Sequence, residues 1–170
     1  MKALIIFRHA KSDWSSGEAK DQDRPLSPRG KKAAKVMGRF LKRIGETPDS
    51  LVSSSAVRAR KTAELAVKAG QWECKSRVTD RLYNCSETDV MRTIKAEADT
   101  TQTLMIVGHE PTCSETISRL VGEAKVGFST AAMARLDLPI DRWRDAEFGV
   151  AELIWLVTPK LAKKLRKSQG

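Results

Sequence analysis

Runs of apolar residues along the chain are short, and they are separated by stretches in which apolar and polar positions mix. Residues 2–7 form a run rich in isoleucine, which predicts a buried strand ending at Arg8. Residues 103–107 form an equally clear run, followed by Gly108. Weaker runs predict four more strands, at residues 51–53, 74–81, 131–136 and 151–157.

Between these runs, apolar positions recur at steps of three and four residues, the period of an amphipathic helix. The clearest case is residues 27–44, where Ser27 suits an N-cap, Pro28 a first helical residue and Gly45 a helix end. Residues 11–24 lack any period and are expected to form a surface loop. Three more helices are predicted, at residues 56–69, 87–98 and from 111 to 120 or 121.

This order of strands and helices predicts the fold class. Alternating strands and helices favour an α/β protein with a mainly parallel central sheet and helices on both faces, a three-layer α/β/α sandwich. A chain of 170 residues is long enough to bury most of its apolar surface without disulfide or metal staples. We therefore predict one domain over residues 1–170, with a basic C-terminal tail at residues 160–170.

Composition indicates the cellular location and the classes of possible partner more than it indicates the function. The net charge of +10 calls for an acidic partner, and phosphorylated ligands, nucleic acid and anionic membranes all qualify. No run approaches the roughly 20 apolar residues of a membrane span, and the first apolar run is too short for a secretory signal. Three cysteines without CxxC spacing and two histidines suggest neither disulfides nor a zinc site. We expect a cytoplasmic protein with no metal and no cofactor.

The basic tail allows two interpretations. Five of residues 160–167 are basic, which fits a solvated last helix or an arm that binds nucleic acid. No aromatic residue is interleaved for base stacking, so the solvated helix is favoured. We expect no specific nucleic-acid partner, no membrane partner and a monomer.

Chemistry is expected where the strands end, because ligands of open α/β sheets bind beyond the carboxyl ends of the strands. The chain has two histidines, and each follows a predicted strand directly: His9 after Arg8, and His109 after Gly108. Arg58 falls in the first turn of the helix after the second strand. Either histidine alone is more often structural than catalytic, and Arg58 alone could be solvated or paired with a nearby glutamate. Their shared placement favours one common site.

These residue types suit phosphoryl transfer. A neutral imidazole is nucleophilic near pH 7 and forms a labile phosphoramidate. Arginine forks match pairs of phosphate oxygens and keep their charge at any working pH. A second imidazole, protonated beside a phosphate dianion, would donate one more hydrogen bond.

Neighbouring residues are weaker candidates. Lys11 and Ser12 lie beside His9 in sequence and are assigned to substrate binding, although a loop lysine is usually solvated. Ser55 could donate to a phosphate oxygen or cap the following helix. Trp14 could contact substrate at a rim. Helix starts are a sufficient explanation for Arg24, Arg29 and Glu110.

Five segments in order resemble the histidine phosphatase superfamily, which shares its fold with cofactor-dependent phosphoglycerate mutase: LIIFRHAKSDW, DRPLSPRG, SSSAVRARKTAE, RLYNCSETDV and LMIVGHEPT. They span residues 4–112, and the RHAKS opening is most similar to the SixA-type phosphohistidine phosphatase branch. The resemblance implies a phosphoglycerate mutase-like fold, His9 as the phosphorylated nucleophile, and a phosphate pocket of Arg8, Arg58 and His109.

Two departures from the family pattern affect the predicted chemistry. Ala10 stands where the superfamily usually has glycine, a change that the SixA-type branch tolerates. Many relatives carry an acidic proton donor after the third strand, and here Glu87 and Asp89 are the candidates, unless they only favour a helix N-terminus. Asp13 is a weaker candidate. A site without a strong acid favours a phosphohistidine substrate, whose imidazole leaving group can be protonated beforehand.

We therefore predict a phosphatase that forms a phosphohistidine intermediate and acts in signalling on phosphohistidine in a protein. A protein substrate is favoured because the short chain leaves little sequence for a lid over a metabolite. One alternative is a phosphatase or mutase of small phosphorylated metabolites. The other is a non-catalytic protein that binds phosphate or nucleic acid.

Overall fold

The computed structural model describes residues 1–167, and the part of the predicted tail at residues 168–170 lies outside that range. None of the helices in the described range is both long and apolar enough to cross a bilayer. In chain order the elements are β1 Lys2–Arg8, α1 Pro28–Arg43, β2 Ser50–Ser54, α2 Val57–Gly70, β3 Lys75–Thr79, α3 Glu87–Lys95, β4 Thr103–Gly108, α4 Thr112–Leu120, β5 Met133–Leu138, β6 Glu152–Val157 and α5 Pro159–Lys167.

The strands form one sheet in the order β3-β2-β4-β1-β5-β6. Strand β4 lies at its centre and pairs in parallel with β1 on one side and with β2 on the other. Strand β3 also runs parallel to β2, whereas β5 is antiparallel to both β1 and β6. The predicted mainly parallel sheet is thus confirmed, with one strand reversed.

Helices cover both faces of the sheet, as predicted. In β1, Leu4 and Ile6 face a core shared with α3 and α4. Their neighbours Ile5 and Phe7 face a second core, shared with α1, α2 and α5. Because successive side chains of a strand point to opposite faces, a strand covered on both sides needs apolar residues at every position. This explains the unbroken apolar run at the start of the chain.

Local signals set the helix ends. Ser27 caps α1 by accepting a hydrogen bond from the backbone N–H of Gly30 (3.1 Å). Ser86 and Asp89 form a capping box at the start of α3. Helix α3 ends at Lys95 and is shorter than the predicted helix.

Helices α1 and α2 pack closely because Gly38 has no side chain. A Cβ atom at that position would overlap with the backbone of α2.

Candidate active site

The two histidines meet because their strands are neighbours in the sheet. Strands β1 and β4 pair in parallel with Arg8 opposite Gly108, so the residues that follow them emerge at the same sheet edge. The backbone N–H of His9 donates to the carbonyl oxygen of Gly108 (3.0 Å). The imidazole centroids of His9 and His109 lie 5.1 Å apart, with the rings tilted by 54°. A group of phosphate size could contact both rings at once.

The surroundings of His9 select one ring nitrogen for chemistry. Its Nδ1 lies 2.7 Å from the carbonyl oxygen of Ala10. A carbonyl oxygen only accepts hydrogen bonds, so Nδ1 carries the proton and Nε2 keeps its lone pair. Burial lowers the pKa of this imidazole to about 3, and the nearby charges of Arg58 and Arg8 also lower it. His9 is therefore neutral at pH 7, with the lone pair of Nε2 available.

His109 is held at the other side of the cleft. Its Nε2 lies 2.8 Å from Ser54 Oγ at the end of β2, and the ring of Tyr83 packs edge-on against it with centroids 5.9 Å apart. Burial and, to a smaller extent, the charge of Arg58 lower the pKa of His109 to about 4. A bound phosphate dianion would favour the protonated ring.

Both predicted arginines reach this cleft from different elements. The Nη1 atom of Arg8 donates to the carbonyl oxygen of Phe128 (2.7 Å). Arg58 is in the first turn of α2 and is only 6% exposed. The Nε atoms of both side chains are buried without a hydrogen-bond partner. Buried N–H donors left unpaired are costly, and an anion in the cleft would satisfy them.

Asp21 is a site residue that the sequence did not reveal. Its backbone carbonyl accepts a hydrogen bond from Arg58 Nη1 (2.7 Å), and its carboxylate accepts one from Nη2 (2.9 Å). Tyr83 donates to the same carboxylate oxygen (3.0 Å), and Arg24 pairs with the other one. Partial burial alone would raise the pKa of Asp21, but the hydrogen bonds from Arg58 and Tyr83 and the charges of Arg58 and Arg24 together outweigh burial and lower that pKa. Asp21 thus fixes Arg58 beside the histidines.

The cleft has a volume of about 550 Å³ and is strongly basic. Trp14 lies at the rim of the cleft and is 80% exposed. The guanidinium carbon of Arg24 lies over the Trp14 ring, 3.4 Å from the ring centroid. The lining residues comprise two histidines, one carboxylate, five cations and three others: Arg8, His9, Lys11, Ser12, Trp14, Arg24, Arg29, Arg58, His109, Glu110 and Thr130. Lys11 and Ser12 therefore lie in the cleft, and so do Arg24 and Arg29.

Ser55 does not line the cleft. Its Oγ accepts a hydrogen bond from Gln22 Nε2 (2.9 Å), which ties the loop after β1 to the end of β2. It does not cap α2 either, since that helix begins after Ala56 without a side-chain cap. The neighbouring Ser54 makes the contact with His109 instead.

The structure does not bring Glu87 and Asp89 to the cleft. Glu87 pairs with Arg119 (2.6 Å) on the α4 side of the molecule. Asp89 accepts hydrogen bonds from Ser86 and pairs with Arg92 (2.9 Å). Both carboxylates serve the start of α3, the alternative that the sequence left open.

Among the described residues, Glu110 is the one carboxylate that lines the cleft. Its Oε2 accepts a hydrogen bond from Ser114 Oγ (2.6 Å), while its Oε1 is buried without a hydrogen-bond partner. Burial raises the pKa of Glu110 above its usual value, which makes this carboxyl a better proton donor than an exposed glutamate. Glu110 could have been noticed in the sequence as a site residue because it directly follows His109, but its burial could not be predicted from that position.

Comparison with known proteins identifies the family of proteins that this chain resembles. Residues 4–100 match the sequence model of the histidine phosphatase superfamily (branch 1). A protein of Mycobacterium tuberculosis (strain H37Rv), described as uncharacterised, is 34% identical over 165 residues, covering 91% of this chain and 100% of that protein.

Solved structures show the same fold. Two proteins assigned as phosphohistidine phosphatase SixA superpose with TM-scores of 0.80: one from Nakamurella multipartitia (26% identity, 93% of this chain and 96% of that one), and one from Agrobacterium tumefaciens (27%, 93% and 98%). A protein from Escherichia coli assigned as an α-ribazole-5′-phosphate phosphatase shares the fold alone (16% identity, TM-score 0.70, 93% and 97%). The resemblance to the SixA-type branch is confirmed, and with it the phosphoglycerate mutase-like fold.

Proposed function

The chain belongs to the histidine phosphatase superfamily and is a phosphatase, and from that premise we propose that it transfers a phosphoryl group from phosphohistidine in a protein to His9 and then to water. The observation that carries this proposal is the position of His9. Its Nδ1 is engaged by Ala10, its neutral ring lies 5.1 Å from that of His109, and both predicted arginines line the same cleft.

The first step is an in-line displacement at phosphorus. The Nε2 lone pair of His9 attacks, a P–N bond to His9 forms, and the bond from phosphorus to the leaving group breaks. Arg8, Arg58 and a protonated His109 neutralise the charge on the three phosphoryl oxygens. The ring of His9 becomes positively charged, and the hydrogen bond from its Nδ1–H to Ala10 stabilises that charge.

The second step returns the enzyme to its starting state. A water molecule attacks the phosphoryl group, the P–Nε2 bond breaks, and orthophosphate leaves with the neutral imidazole restored. Glu110 is the residue placed to hold the moving proton: it gives a proton to the leaving group in the first step and takes one from water in the second.

A phosphohistidine substrate is supported by the likeness to the SixA-type proteins and by the open cleft with its exposed aromatic rim. Glu110 favours a second candidate, the monoester of a small phosphorylated metabolite. An alkoxide leaving group needs a proton donor, and the cleft contains one. Phosphohistidine was favoured from the sequence partly because the predicted site lacked a strong acid, and Glu110 removes that reason.

A substrate panel with one variant separates the two candidates. The purified protein would be assayed with a phosphohistidine peptide, with sugar and nucleoside monophosphates, and with p-nitrophenyl phosphate. A phosphohistidine phosphatase should hydrolyse the peptide with the highest kcat/KM. Glu110→Gln should lower kcat/KM for the sugar monophosphates about a hundredfold and kcat/KM for the peptide far less. Higher kcat/KM for a metabolite than for the peptide would refute the proposed substrate.

A further inference from the structure

A second hollow continues from the active-site cleft along the C-terminal helix. It has a volume of about 640 Å³ and shares Lys11, Arg29 and Thr130 with the cleft. Lys160, Lys163 and Lys164 line its far side. We call this hollow the α5 groove. A ligand seated in the cleft could therefore extend onto α5 without leaving a continuous surface.

The charge of the α5 groove is one-sided. Five of its ten lining residues are basic and none is acidic. All five basic side chains, Lys11, Arg29, Lys160, Lys163 and Lys164, are exposed. Within the described part of the chain, none of the five takes part in a salt bridge. Their field is therefore not neutralised by the protein, and it attracts anionic partners.

The fold presents the three lysines of α5 together. Their spacing of three and four residues places them on one helical face, while Ala162, 2% exposed, packs into the core beneath α1. The helix is thus anchored by its apolar side. The lysines remain free to meet a partner that arrives at the cleft.

The kind of cation indicates the kind of partner. In the active-site cleft, buried guanidinium groups with unpaired Nε atoms form a pocket for one phosphate. The basic side chains of the α5 groove are all exposed and are mostly lysines, which suit several separate carboxylates better than one tightly held phosphate. Together the two hollows also exceed the ~1,000 Å³ upper end of typical small-molecule sites.

We propose that the α5 groove docks an acidic stretch of the protein substrate while the phosphorylated side chain of that substrate reaches His9. This inference rests on the proposed function, because it names the surface by which a phosphohistidine protein would be recognised. It also assigns a role to the basic tail, for which the sequence favoured a solvated helix over an arm that binds nucleic acid.

Two peptides and two variants test the proposal. The peptides are about 15 residues long, enough to span ~50 Å when extended. Each carries one phosphohistidine, and the two differ only in that the flanking glutamates of one are glutamines in the other. The test variant is Lys160→Gln/Lys163→Gln/Lys164→Gln. The control is Lys31→Gln/Lys32→Gln/Lys35→Gln, which removes the same charge from exposed positions of α1 that line neither hollow.

At low salt, the wild-type protein should hydrolyse the glutamate peptide with a kcat/KM about tenfold higher than the glutamine peptide. The α5 variant should lose this preference, mainly through KM, and should keep its activity on p-nitrophenyl phosphate. The α1 variant should retain the preference. Equal rates with both peptides, a preference that survives in the α5 variant, or its loss in both variants would overturn the proposal.

A failure of the proposed function is distinguishable from a failure of the docking surface. If the wild-type protein hydrolyses neither peptide, the proposed substrate is wrong. The groove is then tested by the fluorescence anisotropy of the unphosphorylated peptides. Docking is supported if the wild-type protein binds the glutamate peptide more tightly than the glutamine peptide and only the α5 variant loses this difference. Docking is refuted if wild type and α5 variant bind the glutamate peptide equally, or if the protein binds inositol hexakisphosphate or duplex DNA instead of the glutamate peptide.

Discussion

At the scale of single residues, the phosphate-free site keeps two imidazoles neutral in a basic cleft. Burial and the surrounding arginines lower the pKa values of His9 and His109 to about 3 and about 4. Lowered values mean that protons bind only in acid, so both rings should stay neutral from about pH 5 upward. A nucleophile that is already deprotonated needs no separate base to activate it.

This protonation state can be measured directly, because the chain has only two histidines. Imidazole ¹⁵N–¹H spectra, assigned with His9→Ala and His109→Ala, should show neither ring titrating near the ordinary value of about 6.5. Adding inorganic phosphate should raise the pKa of His109, because a dianion favours the charged ring. A histidine that titrates near pH 6.5 in the phosphate-free protein would contradict the described burial.

Asp21 is expected to hold Arg58 in place. Asp21→Asn removes the charge that faces a buried guanidinium, so the free energy of unfolding should fall by about 1–2 kcal/mol. Added phosphate should restore more stability to this variant than to the wild type, because it supplies the missing negative charge. Urea unfolding with and without phosphate measures both effects.

The matched control is Asp23→Asn, in the same short turn. The carboxylate of Asp23 makes no salt bridge or hydrogen bond within the described residues, so this change should leave stability nearly unaltered. Equal losses in the two variants would show that Asp21 does not support Arg58.

Some of these residues could be predicted from sequence, and others could not. Both histidines were predictable, because parallel strands end at the same edge of a sheet and each histidine follows a strand. Asp21 was not, since its partner Arg58 is 37 positions away and the loop that carries Asp21 has no periodic pattern. Contacts between distant loops leave no local signal.

At the scale of elements, the start of α1 braces the loop that carries the site. The carbonyl oxygen of Lys11 accepts hydrogen bonds from the backbone N–H and the hydroxyl of Ser27, both at 3.0 Å. Gly30 lies against the same carbonyl, and a Cβ atom there would overlap with it. The DRPLSPRG segment therefore positions Lys11 and Ser12 as well as beginning a helix.

Gly30→Ala tests this brace. The added methyl group must push the Lys11 backbone away, so the free energy of unfolding should fall by about 1–3 kcal/mol and kcat/KM should fall with it. Gly127→Ala is the control, because a Cβ atom at Gly127 meets no atom within 4 Å. Thermal unfolding and steady-state kinetics would measure the two effects. Unchanged kinetics in Gly30→Ala would contradict the role of α1.

Element types were easier to predict than element edges. The alternation of apolar runs and helical periods predicted every strand and the first four helices, because each buries a face whose period is visible in the sequence. The observed ends of strands and helices differ from the predicted ends where tertiary contacts determine them. Strand β5, for example, begins at Met133 rather than at residue 131, after Ala131 adopts a positive φ of 59°.

At the scale of the whole molecule, part of the charge of +10 lies along one continuous surface. Eight basic residues and one acidic residue line this surface, which runs from the active-site cleft to the exposed lysines of α5. The same field that draws a phosphoryl group toward His9 would draw the acidic protein around it. Catalysis and substrate selection are thus expected to use neighbouring parts of one basic surface.

The most direct test of this account is the chemical identity of the phosphorylated enzyme. Rapid acid-free quenching during turnover of a phosphohistidine peptide, followed by ³¹P NMR and mass spectrometry, would locate the phosphoryl group. The account predicts an acid-labile phosphoramidate on Nε2 of His9, absent in His9→Ala. A phosphoryl group on Nδ1, on His109 or on an acid-stable residue would contradict it.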